Sequence, residues 1–140
     1  MQRIALIAVV AILSASAAGV GETASPADAK VYFINLKNND VVKSPVKIQF
    51  GLSGMGITPA GTDVPGTGHH HLIIDDAIQG AALQEAIPLD DRHLHFGKGQ
   101  TEATVALPKG THTLQLVLGD WSHVPHKNPV MSERITVTVE

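Results

Sequence analysis

From Lys30 onward, apolar and polar residues alternate in short runs, and Gly, Pro, Asn and Asp cut the runs apart. In Pro45–Gly51 (PVKIQFG), Val46, Ile48 and Phe50 alternate with Lys47 and Gln49. A period of two puts one face of a strand in a core and the other in water. His112–Leu118 (HTLQLVL) repeats the pattern with Leu114, Leu116 and Leu118, and Glu133–Glu140 (ERITVTVE) with Ile135, Val137 and Val139. Lys30–Leu36, Leu72–Ile74 and Thr101–Leu107 read as further strands. Ala81–Leu89 is mixed. Its Ala, Leu, Gln and Glu favour helix, but Pro88 cuts it short, and it is taken as a short strand or irregular crossing. Seven strands result, at 30–36, 46–51, 70–75, 81–88, 100–107, 112–118 and 133–139. Short strands with frequent turns predict an all-β fold, an antiparallel β-sandwich.

The end of the chain adds detail. LPKGTHTLQLVLGDW…SERITVTV has the shape of an immunoglobulin-like ending, with His112 in the slot where such turns often carry Tyr. In that slot the ring is expected to bond back to nearby backbone.

The start of the chain breaks the pattern. Arg3 precedes an apolar run, Ile4–Leu13, and Ala15-Ser16-Ala17 is a small-x-small cleavage signal. The run is too short to span a bilayer, so 1–17 reads as a secretory signal peptide with a mature start at Ala18. A second Ala-x-Ala stands at Ala27-Asp28-Ala29. Small, polar-leaning residues 18–29 form a flexible lead-in, and 30–140 a single domain. There is no cysteine. That excludes disulfides, thiolate ligands and a Cys nucleophile. Export without disulfides fits a periplasmic or secreted protein. The formal net charge is −3, with no Lys/Arg stripe, which argues against a nucleic-acid partner. After leader removal no membrane contact is expected.

Candidate chemistry lies in the eight histidines. If strands alternate in direction, the loops carrying His69–His71, His93/His95 and His123/His126 fall at one pole, and His112 at the other. Residues two apart on a strand share a face. His69 and His71 therefore point together, as do His93 and His95, while His70 joins Leu72 and Ile74 on the core face. A His-x-His pair on extended chain sets two imidazoles side by side. The metal ligands expected are His69, His71, His93, His95, His123 and His126, with His70 as a further candidate. Asp120 is a second candidate, able to orient an imidazole through its other nitrogen. Imidazole-only ligation suits copper, zinc or nickel. Copper is the first choice, by fold-level analogy with exported sandwich proteins.

The function expected is an exported transition-metal-binding protein that handles its ion at a His-rich pole. The partners are the ion and another periplasmic protein. No nucleophile or acid/base pair argues for catalysis. One alternative is a partner- or envelope-binding module with structural histidines, and another a pH sensor built on clustered imidazoles. A third is a cupin-like metalloenzyme using His69, His71 and His112, although Pro108-Lys109-Gly110-Thr111-His112 is one residue short of the cupin spacing.

The blocks PAGTDVPGTGHHHLIID and HLHFGKGQTEATVALPKGTHTLQLVLGDWSHVPHKNPVMSERITV resemble the bacterial exported family catalogued as domain of unknown function 4399. The resemblance runs from about Val31 to Val139. It implies a small exported domain with His-rich blocks as hallmark: His69-His70-His71 with Asp75, His93 and His95 before Phe96-Gly97-Lys98-Gly99-Gln100-Thr101, and Asp120 with His123 and His126. It implies no activity, so the metal expectation stands on the residues.

Overall fold

The computed structural model describes residues 23–140. The expected signal peptide at 1–17 and the first part of the lead-in lie outside the described residues. Nine strands are present among those described. They are β1 (Lys30–Phe33), β2 (Asp40–Val42), β3 (Val46–Ser53), β4 (Gly56–Ile57), β5 (Thr67–Ile74), β6 (His93–His95), β7 (Glu102–Val105), β8 (Gly110–Gly119) and β9 (Ile135–Val139). The three-stranded sheet runs β1-β3-β7 and is antiparallel. The six-stranded sheet runs β2-β9-β8-β5, with β4 and β6 sharing the outer edge of β5. Most of its pairs are antiparallel, but β2 joins β9, and β4 joins β5, in parallel. The protein is a β-sandwich.

Period-two alternation builds the core. Val31, Ile48, Phe50 and Val105 face inward from the small sheet. Leu72, Ile74, Leu114, Leu116, Leu118 and Val137 face them from the large one. Burying each such side chain contributes about 1.5–3 kcal/mol. The opposite face of the large sheet is also covered near β5 and β8. Ile73 and Val117 pack there against Ile78 and Ile87 in a second apolar cluster.

Ile87 lies in the segment where the sequence expectation fails, and Ile78 just before it. Residues 81–88 form no strand. Gly80–Gln84 is a 3-10 turn with no buried residue. Gly80 is in the left-handed region (φ 60°), and the segment has no alternating pattern to fix a strand register. The chain leaves β5 and returns at the same pole, where Ile74 N–H donates to Arg92 O at 2.8 Å. Between those points it folds over the outer face, held by Ile78 and Ile87.

The lead-in is fixed from Thr23 on. Thr23 Oγ1 donates to Asp120 Oδ2 at 2.7 Å, and Lys127 N–H donates to Thr23 O at 2.9 Å. Ser25 Oγ donates to Asn128 O at 2.6 Å. The described part of the lead-in is thus an arm laid along the β8–β9 connection.

Candidate metal centre

Strand β5 carries the first two rings. His69 faces the outer side opposite Gly119 of β8, and His71 opposite Val117. Strand β6 runs antiparallel along the other edge of β5 and sets His95 directly beside His71. The fourth ring, His123, comes from the β8–β9 connection.

The tight turn after Asp120 places that ring. Asp120 Oδ1 accepts from Ser122 N–H at 2.8 Å, Ser122 Oγ at 2.9 Å and Val124 N–H at 3.0 Å. Asp120 O accepts from His123 N–H at 3.0 Å. His123 itself is in the left-handed region (φ 70°), sparsely populated for side-chain-bearing residues. Its carbonyl takes the N–H of Ile87, so the outer-face segment braces it.

The four rings close on one another. Nε2 of His71 lies 3.0 Å from Nε2 of His69, which lies 3.2 Å from Nδ1 of His123. The His95 ring centroid is 4.7 Å from that of His123 and 4.9 Å from that of His69. One ligand atom from each of the four lies within 4.8 Å of all the others. Imidazole nitrogens sit about 2.0–2.1 Å from an ion, so neighbouring ligands of one ion are about 2.9–3.4 Å apart. The closest pairs already have that spacing.

Burial sets the charge state. His69 and His71 are fully buried. Desolvation, and then the neighbouring imidazoles, lower His71 to about 2 and His69 to about 4. His95 is lowered for the same reasons. His69, His71 and His95 are therefore held neutral, the form that ligates. His95 Nε2 is buried with no hydrogen-bond partner, as are the Nδ1 atoms of His69 and His71.

Two glycines make room, and the sequence reading missed both. A Cβ on Gly119 would lie 2.7 Å from His71 Nε2, and one on Gly97 2.6 Å from His95 Nε2. Gly97 is the second residue after His95, and Gly119 follows the last Leu of β8. Glycine beside a His-rich strand was the available signal.

The other expected ligands lie elsewhere. His93 shares the outer face with His95, as parity requires, but sits opposite Ile73. A step of two residues moves it about 6.6 Å along the strand. There its Nδ1 pairs with Asp90 at 2.7 Å and its Nε2 with Asp76 at 3.3 Å. His126 Nε2 bonds Thr67 O at 3.2 Å, outside the cluster, and its Nδ1 is buried without a partner. His70 points into the core, 5.1 Å from the Phe50 ring, with both nitrogens unpartnered. Burial lowers it to about 4. Asp120 orients no imidazole through a hydrogen bond, because both its oxygens are taken by its own turn and by Thr23.

His112 lies at the other end of β8, opposite Val137. Its Nδ1 pairs with Asp75 Oδ2 at 2.7 Å, and its Nε2 donates to Pro108 O at 2.8 Å. It bonds back to nearby backbone as expected. Its distance along β8 from the pole of His69 removes the cupin triad.

No curated protein and no solved structure matches the chain. A family model does. Domain of unknown function DUF4399 matches residues 48–140, which hold all four clustered histidines and both glycines. The chain belongs to that family.

Proposed function

We propose that the protein binds one transition-metal ion through His69, His71, His95 and His123, and that it is an exported metal-handling domain. One observation carries the reading: four imidazoles from three separate segments bring ligand nitrogens within 4.8 Å in a largely buried place. The crowded Nε2 atoms of His69 and His71, Nδ1 of His123 and the buried, unpartnered Nε2 of His95 gain a common partner by sharing an ion. Copper is the first candidate, since nitrogen sites favour it over nickel and zinc. The leader pattern at 1–17 is what supports export.

Titration of the mature protein with Cu(II), Zn(II) and Ni(II) tests this. One ion per chain is expected, with nitrogen superhyperfine splitting in the Cu(II) electron paramagnetic resonance spectrum. His69→Gln, His71→Gln, His95→Gln and His123→Gln each weaken binding about tenfold or more, one ligand's share of affinity. His93→Gln and His126→Gln keep it. Absence of binding at micromolar ion by a folded protein overturns the proposal and leaves the structural-histidine module.

A further inference from the structure

The four rings are not equally covered. His69 and His71 are fully buried, whereas His95 and His123 are half-buried. The open side of the cluster is therefore the one framed by His95 and His123. The loop that joins β4 to β5 reaches that side. Both its ends are pinned: Gly56 N–H donates to Gly66 O, and Thr58 N–H to Gly68 O, each at 3.0 Å.

Within the loop, Pro59-Ala60-Gly61-Thr62 is a turn. Thr62 N–H donates to Pro59 O at 3.2 Å, and Gly61 takes φ 81° at the third position, the signature of a type II turn. Its two middle N–H groups point outward. Ala60 N–H donates to Gly97 O at 3.0 Å, and Gly61 N–H to Trp121 O at 2.9 Å. Gly97 is the second residue after His95, and Trp121 the second before His123. The turn thus bridges the two segments that supply the half-buried rings. It also lies close to one of them. The point where a Gly97 Cβ would stand is 2.6 Å from His95 Nε2 and 3.2 Å from Ala60 Cβ. Among the described residues, these two are the only hydrogen bonds that tie the turn to the rest of the protein. Residues 61–65 are exposed.

Resting on the metal reading above, we infer that this turn is a latch on the ion site. Closed, it holds the His95 and His123 segments together, and ion entry and exit wait on its opening. A tie of two peripheral bonds opens locally, without unfolding either sheet. The imidazoles set how tightly the ion is held, and the latch sets how fast it exchanges, because a gate speeds or slows entry and exit alike.

Ala60→Pro tests this. Proline is common at the second position of a type II turn, so the turn keeps its shape and only the N–H to Gly97 O is lost. The readout is stopped-flow transfer of Cu(II) and of Zn(II) between the protein and a chromophoric chelator, run in both directions. Uptake and release are both expected to be about tenfold faster than in the parent, the weight of one hydrogen bond, with Kd changed far less. Unchanged rates overturn the inference, and so does faster release alone with Kd weakened by the same factor, the mark of a merely structural contact. A second measurement needs no variant. Ion binding to the parent is expected to slow hydrogen exchange at the Ala60 and Gly61 amides more than at those of Gly56 and Thr58, and equal slowing overturns the latch. In each of these failures metal binding still stands. Failure of every ion to bind the folded parent defeats the metal reading itself, and the latch with it.

Discussion

A methyl group at position 119 would stand 2.7 Å from His71 Nε2 and 3.4 Å from the His123 Cα. Gly119→Ala therefore displaces two ligands at once, and Gly97→Ala tilts a third. Each substitution is expected to weaken metal affinity about 10–100-fold, the range for changes just behind a ligand, with the sandwich still folded by circular dichroism. His112 offers the clearest acid–base test. Its hydrogen bond to Asp75 raises its pKa, and the same bond helps lower that of Asp75. For the histidine, the raised value means stability fully present below its unfolded pKa of about 6.5 and lost as pH rises through the folded value. For the aspartate, stability is present above about 3.9 and lost as pH falls through its depressed value. His112→Gln should thus cost more at pH 6 than at pH 9, by about 1 kcal/mol at most since Asp75 is partly exposed, measured by urea unfolding at both. Strand parity made part of this legible in advance. It separated His69 and His71 from His70, because side-chain direction is local. It could not separate His95 from His93. They share a face, and only the β5 register and the carboxylates of Asp76 and Asp90 tell them apart.

At the scale of elements, the arm from Thr23 to Ala29 reaches the turn that carries His123. Thr23→Val removes the hydroxyl that donates to Asp120 and keeps the shape. Faster hydrogen exchange at the amides of Ser122 and Val124 is expected, with about 1 kcal/mol less protection, and Thr23→Ser should restore it. The strands with strong alternation, β3, β8 and β9, were legible because each buries one whole face. β2 and β4 were not, being short edge strands paired in parallel, β2 with the distant β9 and β4 with the β5 that follows it. The 81–88 error has the same root. Nothing local says that Ile78 and Ile87 are spaced to clamp a wandering segment on Ile73 and Val117. The prediction that His95 reaches the His69 pole holds for a different reason than loop counting. The chain turns back without crossing, and β6 delivers His95 by lying beside β5.

For the whole molecule, the apolar core and the four rings occupy opposite faces of one sheet. Emptying the site leaves Leu72, Leu116 and Leu118 where they are, so the metal-free protein should remain folded. Ion binding should add stability by mass action, about 4 kcal/mol at a thousandfold excess over Kd, read as a rise in melting temperature that His69→Gln abolishes. The three segments that meet at the rings are far apart in sequence. An ion there pins β5, β6 and the β8–β9 turn together and closes the chain between them into loops. A sequence without a single cysteine would thereby gain a covalent staple's equivalent, one that a chelator can undo.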